Sequence, residues 1–107
     1  MTVEKESDIL RAICDYLALK KHFFWRNNSY GIFDVKGGFH RALPKYSLKG
    51  VPDIILIDKT GHFVGLEAKK KGGVQSDDQK EFERLCKAQG AEYRVVCSVD
   101  DVINLGL

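Results

Sequence analysis

The amino-acid sequence predicts an α/β protein in which helices cover both faces of a mixed β-sheet. The order of hydrophobic patterns is helix, strand, irregular segment, hairpin, helix, strand and helix, which is typical of a layered domain. The helix between the hairpin and the last strand has the length of a parallel crossover, so antiparallel and parallel pairs should share one sheet. With 107 residues, the chain is predicted to form a single domain over 1–107.

The first half of the chain begins with an amphipathic helix. Over 3–20, apolar residues recur at helical spacing, namely Ile9, Leu10, Ile13, Tyr16 and Leu17. A short strand follows at 23–26. The segment 27–50 is rich in turn residues, and a segment of this length without clear structure is often functional. Its scattered apolar residues need some apolar contact, which is compatible with a small β-ribbon in this segment.

The central feature is a hairpin made of two apolar runs around a glycine-containing turn. If Lys59, Thr60 and Gly61 form a three-residue loop, Asp58 faces His62. The same register then places Asp53 directly opposite Glu67. A slip of one residue would move Asp53 to the other face, so the register decides whether the two acids meet.

Two acids and a lysine are therefore expected on one face of the hairpin. Side chains alternate along a strand, so Lys69 shares a face with Glu67. Two carboxylates about 4 Å apart repel by roughly 4 kcal/mol at an effective dielectric near 20. A divalent cation such as Mg²⁺ would turn this repulsion into coordination. The alternative is a salt bridge from Lys69 to Asp53 or Glu67, with no metal.

The second half of the chain carries clear start and stop signals. Ser76 and Gln79 form a capping-box pattern after a Gly-rich break, and the helix should run to about residue 89 with Gly90 just beyond its end. The predicted inward face of this helix carries Phe82, Leu85 and Cys86. A core strand at 93–97 and a short helix from residue 98 complete the chain.

Composition excludes several classes of protein. Hydrophobic residues make up 44% and charged residues 30%, and 17 basic against 15 acidic residues give a net charge of +2, so a histone-like binder is not expected. No apolar run approaches the length of about 18 residues that a membrane span needs, and no signal peptide is recognisable. We therefore expect a cytoplasmic protein without a membrane partner.

The three cysteines suggest neither disulfides nor a zinc site. Cys14, Cys86 and Cys97 all fall at apolar positions of periodic segments, and we expect them to be reduced core residues. No two of them are close in sequence, and the three histidines lack the spacing of zinc ligands.

Three motifs in fixed order resemble the VRR-NUC nucleases, the virus-type replication-repair nuclease domains of the PD-(D/E)xK superfamily. The motifs are Gly50-Val51-Pro52-Asp53, Glu67-Ala68-Lys69 and Gln75-Ser76-Asp77-Asp78-Gln79. The N-terminal helix with Glu6 and the segment Trp25-Arg26-Asn27 also match the family pattern, so the resemblance covers nearly the whole chain. It implies a restriction-endonuclease-like fold and a DNA endonuclease that depends on Mg²⁺ or Mn²⁺.

The resemblance also implies roles for individual residues. Asp53 and Glu67 would bind the metal together with the backbone carbonyl of Ala68, and Lys69 would position or stabilise the attacking hydroxide. Gln79 would reach toward the site from its helix, although its spacing alone favours a plain capping-box residue.

The family also implies an acid on the N-terminal helix that completes the metal shell. Glu6 matches this position best because its spacing to Ile9 and Leu10 places it on the inward edge of the helix. Glu4 is the alternative, and either acid could simply be a solvated first-turn residue.

DNA contacts are expected from aromatic and basic residues near the site. The candidates are Trp25, Arg26, Asn27, Lys45, Lys49, Lys70 and Lys71, with His40 and Arg41 as further candidates for contact with DNA or a partner subunit. Each of them could instead be an ordinary core or surface residue. Such contacts would read the shape of DNA rather than its sequence.

Small standalone members of the family imply a biological setting. They are similar to phage and prophage proteins of bacterial cells, and they form homodimers that cut branched DNA such as four-way (Holliday) junctions. Flaps, nicks and plain duplex are alternative substrates. Two further alternatives from other classes are a non-catalytic DNA-binding module and an interaction domain with a salt-bridged hairpin.

Overall fold

The computed structural model describes residues 4–27, 33–34, 39–40 and 44–107, with side chains for 4–27 and 44–107. Three helices are present in these ranges, α1 (Glu6–Leu19), α2 (Asp77–Ala88) and α3 (Val99–Asn104). The strands are β1 (Phe23–Arg26), β2 (Phe33–Asp34), β3 (Phe39–His40), β4 (Ile54–Ile57), β5 (Phe63–Ala68) and β6 (Glu92–Val96). The predicted elements are thus confirmed in type and order, with ends that differ by a few residues. No helix in the described part of the chain is both long and apolar enough to cross a membrane.

The four-stranded sheet is mixed, as predicted. Its strand order is β1-β4-β5-β6, in which the first two pairs are antiparallel and β5 runs parallel to β6. The connection from β5 to β6 passes through α2, and this explains the parallel pair. β2 and β3 form a separate antiparallel ribbon, as the sequence allowed.

One face of the sheet carries the hydrophobic core. Alternate residues of β4 and β5 point toward α1 and α3, which lie on this face. The buried cluster consists of Ile9, Leu10, Ile13, Leu17, Ile54, Leu56, Val64, Leu66, Ala68, Val96 and Val102. The helical spacing of its α1 members is the one read from the sequence. This face supplies most of the apolar burial that stabilises the domain.

The other face is covered by α2 only in part. Phe82 of α2 packs against Tyr93 of β6, with ring centroids 6.1 Å apart. The predicted inward face of this helix was wrong for Leu85, which is 43% exposed. The three cysteines are free, but they are half-buried rather than core residues.

Two glycines determine how the chain approaches β4. Gly50 has a φ of +77°, and a Cβ atom there would lie 2.2 Å from the carbonyl oxygen of Asp78 in the first turn of α2. A Cβ atom on Gly65 would lie 2.7 Å from Cγ of Pro52. The segment before β4 therefore passes over the face that α2 covers, with Pro52 packed on the bare backbone of Gly65.

Replacing Gly50 should cost more stability than replacing a glycine in an open turn. Gly50→Ala combines an unfavourable left-handed conformation with a backbone clash, whereas Gly61 has a similar φ of +82° and open space where its Cβ atom would lie, with nothing within 4 Å. The conformational cost is about 1–2 kcal/mol at either position. The clash should add about 1–3 kcal/mol in Gly50→Ala alone. Urea unfolding of both variants measures the difference, and equal losses would contradict the close contact with α2.

Candidate functional site

The strand register brings Asp53 and Glu67 together. β4 and β5 pair from Ile57 with Phe63 to Ile54 with Leu66, and one further step places Asp53 opposite Glu67, as predicted. The turn has the predicted form, since the Asp58 amide donates a hydrogen bond to the His62 carbonyl. The backbone of Asp53 also continues the ladder toward β1, where its carbonyl accepts a 2.8 Å hydrogen bond from the Asn27 amide.

The Asp53 carboxylate accepts a hydrogen bond that a backbone carbonyl would accept in a regular antiparallel ladder. Because Pro52 lies over Gly65, the chain leaves the plane of the sheet just before Asp53. Oδ2 of Asp53 instead accepts a 3.0 Å hydrogen bond from the Ala68 amide. In an extended strand the amide and carbonyl of one residue point to the same side, so the carbonyl of Ala68 is expected on the side of β5 that faces β4.

Glu67 is the one charged residue among the buried residues that the structure describes, with 3% of its surface exposed. Its Oε1 atom is buried and has no hydrogen-bond partner among the described residues. Burial, reinforced by the neighbouring Asp53 carboxyl, raises the pKa of Glu67 to about 8 from its usual 4.5, while Lys69 acts in the opposite direction. The acid pair, Asp53 and Glu67, therefore lies within electrostatic reach of Lys69, on the face predicted from the sequence.

Tyr93 is a member of the site that the sequence pattern did not single out. Its ring is buried, and its hydroxyl has no hydrogen-bond partner among the described residues. Burial and, next, the charge of Glu67 raise the pKa of Tyr93 above its usual value. Tyr93 pairs in register with Gly65, so it lies on the same face as Glu67. The register of the parallel pairing between β5 and β6 brings it there, and the sequence predicted the parallel pairing but not its register.

Gln79 forms the capping box that its spacing predicts. Its side-chain Oε1 accepts a 2.9 Å hydrogen bond from the backbone amide of Ser76, and the backbone amide of Gln79 donates to Oγ of Ser76. The side-chain oxygen is thus engaged in the cap rather than with the acid pair. The first turn of α2 still lies close to the site, because it packs against Gly50, three residues before Asp53.

The acid predicted on α1 does not join the pair. Glu6 is exposed at the first residue of the helix, so its expected inward position was wrong. Glu4, just before the helix, lines a cavity of about 510 Å³ together with Lys70 and Lys71. Among residues 4–27 and 44–107, no three Asp, Glu, His or Cys side chains are grouped closely enough to hold a metal ion.

The residues predicted to contact DNA are exposed, apart from Asn27, which is half-buried. Trp25 and Arg26 are exposed on β1, and Asn27 follows them beside Asp53. Lys70 and Lys71 are exposed immediately after Lys69. Lys45 and Lys49 are exposed in the segment before β4, and Nζ of Lys45 lies 5.1 Å from the ring centroid of Tyr46. The side chains of His40 and Arg41 fall outside the described residues.

The donor set of the acid pair fits a hard divalent cation. Two carboxylates and a backbone carbonyl offer only oxygen atoms, and Mg²⁺ commonly uses one or two carboxylates with water and phosphate oxygens as its other ligands. The buried, unpaired Oε1 of Glu67 supports this fit, because a buried polar atom without a partner calls for one.

Comparison with known proteins places the fold. A solved structure described as "VRR_NUC domain" matches 94% of this chain and 91% of its own length, with a TM-score of 0.65 and 18% sequence identity. The chain thus has the restriction-endonuclease-like fold that the sequence resemblance implied. No protein-family model and no curated protein matches the sequence.

The raised pKa of Glu67 predicts how stability changes with pH in metal-free buffer. The folded protein holds the Glu67 proton more tightly than the unfolded chain does, so the contribution of Glu67 to stability is fully present below the unfolded pKa of 4.5 and is lost as pH rises through about 8. Each unit of pKa difference corresponds to about 1.4 kcal/mol. Glu67→Gln should remove most of this loss.

Urea unfolding in EDTA between pH 5 and pH 9 tests this prediction. Glu81→Gln is a matched control, because Glu81 is exposed on α2 and pairs with Arg84 away from the acid pair. The control should retain the pH dependence of the wild type. Parallel profiles for the wild type and Glu67→Gln would contradict the prediction.

Proposed function

We propose that the protein is a DNA endonuclease that depends on Mg²⁺ or Mn²⁺ and hydrolyses phosphodiester bonds at the acid pair. The observation that carries this proposal is the buried carboxyl of Glu67, held beside Asp53, whose Oε1 has no hydrogen-bond partner among the described residues. Such an arrangement costs stability, since like charges that face each other in a sheet repel and burial disfavours their ionised forms. Its presence on this fold is best explained by a cation-dependent reaction.

Asp53, Glu67 and the carbonyl of Ala68 would hold the metal ion. When bound, such an ion lowers the pKa of the attacking water and stabilises the negative charge that develops on the phosphoryl group. The hydrogen bond from the Ala68 amide fixes one oxygen of Asp53 in position, so its orientation does not depend on the ligand. A preorganised carboxylate of this kind lowers the cost of binding.

Lys69 would be the third catalytic side chain, beside Asp53 and Glu67. Its charge acts on Glu67, and Lys69 is half-buried directly after the end of β5. In this position it can stabilise negative charge on the phosphate or the nucleophile. The first turn of α2, capped by Ser76 and Gln79, packs against Gly50, three residues before Asp53.

We further propose that the substrate is branched DNA and that the protein acts as a homodimer in a bacterial cell. One domain carries one acid pair, so a twofold dimer would present two related sites to a four-way junction. The exposed basic residues around the site would contact phosphates and read shape. They are Arg26, Lys45, Lys49, Lys70 and Lys71.

Removing either acid should abolish cleavage while the fold is retained. Asp53→Asn keeps an oxygen that can accept from the Ala68 amide, and Glu67→Gln relieves the buried repulsion, so both variants should fold. Loss of the metal contribution, worth several kcal/mol, should lower the cleavage rate more than about 100-fold. Labelled four-way junction in Mg²⁺ provides the assay, and Glu81→Gln is the control. Wild-type rates in either acid variant would refute the assignment.

Metal binding can be measured without DNA. Mg²⁺ or Mn²⁺ should raise the melting temperature of the wild-type protein, because a ligand that binds only the folded state stabilises it. The increase should disappear in Glu67→Gln. Glu4→Gln and Glu6→Gln test whether either acid at the start of the chain contributes to the ion, and an undiminished increase in both variants would show that neither does. An equal increase in the wild type and Glu67→Gln would place the ion elsewhere.

A further inference from the structure

Two aromatic rings lie side by side on an exposed strand. Phe23 is 68% exposed and Trp25 is 43% exposed, and their ring centroids are 5.7 Å apart with planes inclined by 48°. They are the aromatic pair of β1, which forms one edge of the four-stranded sheet. Clustered exposed aromatic side chains usually mark a binding surface, because they bury large apolar area on contact.

The aromatic pair lies on the same sheet face as the acid pair. Trp25 pairs in register with Ile55, and Ile55 is two residues from Asp53, so side-chain alternation places Trp25 and Asp53 on one face. The Asn27 amide bonds to the Asp53 carbonyl and fixes the end of β1 against this residue. Two residues along one strand and one strand across correspond to about 8 Å between Trp25 and Asp53.

The charges around the aromatic pair favour a polyanion. Exposed Lys20 and Lys21 directly precede β1 and its aromatic pair. Arg26 pairs in register with Ile54 and so lies on the opposite face of the sheet. A second copy of the chain on this edge would bring these cations toward each other across a twofold axis, which is unfavourable. A polyanion with flat apolar faces satisfies the cations and the rings together, and a nucleic acid with accessible bases is such a partner.

We propose that Phe23 and Trp25 stack against unpaired or unstacked bases at the branch point of a DNA substrate. The inference rests on the proposed function for its choice of DNA. Bases inside a continuous duplex are stacked on each other, so their faces are not available without the cost of unstacking. A junction or flap presents such faces. The aromatic pair would thus favour branched DNA and place the backbone beside the branch near the acid pair.

Tryptophan fluorescence tests the contact directly, because Trp25 is the single tryptophan of the chain. The experiment uses full-length Glu67→Gln protein in EDTA, so that no DNA is cut. Four-way junction, single strand and continuous duplex of equal nucleotide number are titrated, and anisotropy of labelled DNA is recorded with Trp25 emission. We expect strong quenching by junction and single strand, and little change when duplex binds.

Variants of the aromatic pair test its contribution to affinity. Stacking is worth about 1–3 kcal/mol per base, so Trp25→Ala should raise the Kd for junction by about 5-fold to 150-fold. It should change the Kd for duplex less than about 2-fold, and Trp25→Phe should retain most of the affinity for junction. Ile103→Ala is the matched control, since Ile103 is 46% exposed on α3.

The outcomes separate this inference from the proposed function. Junction binding without a change in Trp25 emission, or equal losses for junction and duplex in Trp25→Ala, would overturn the stacking contact and leave cleavage intact. Trp25-dependent junction binding by a wild-type protein that cuts no DNA would support the contact and overturn the nuclease. A dimer that becomes monomeric in Trp25→Ala without DNA would show that the aromatic pair is a subunit interface, and would overturn the inference.

Discussion

The electrostatic cost of burying Glu67 beside Asp53 is the constraint on which the site depends. A buried carboxyl normally loses its charge or gains a partner, and within the described part of the chain Oε1 of Glu67 has no partner. The β-ladder on both sides of the hairpin keeps the two acids opposed, so the chain cannot relieve the repulsion by a small backbone shift. Stability is therefore given up at one position that a single amide substitution would repair, which is typical of a functional site.

The path of the chain before β4 serves the same site. Gly50 lets the backbone touch the first turn of α2, and Gly65 leaves space for Pro52 above the sheet. Because the backbone has left the plane of the sheet there, the amide of Ala68 is available to the side chain of Asp53. The absence of a side chain at Gly50 and Gly65 thus lets the chain depart from a regular strand pair, and the carboxylate of Asp53 is held in a fixed position there. The motif Gly50-Val51-Pro52-Asp53 has a physical explanation at three of its four positions.

Local signals in the sequence predicted most of the fold and the centre of the site. The three-residue loop fixes the hairpin register, and the capping box fixes the start of α2, so both were predictable from neighbouring residues. Packing between distant elements was not. Leu85 is exposed because α2 covers only part of the sheet. Glu6 is exposed because it is the first residue of α1, and its spacing to Ile9 could not predict where the helix begins. Tyr93 reaches Glu67 only through the register of the parallel pairing between β5 and β6.

The two faces of the sheet differ in what they contribute. The face under α1 and α3 holds the continuous apolar cluster that stabilises the domain. The other face carries Glu67 without a partner for Oε1, Tyr93 without a partner for its hydroxyl in the described part of the chain, and the exposed rings of Phe23 and Trp25. Each of these features is unfavourable for a domain in water alone. Their concentration on one face, beside exposed cations, is explained by a ligand that supplies positive charge to the acids and apolar surface to the rings, as a metal ion and a DNA branch would together.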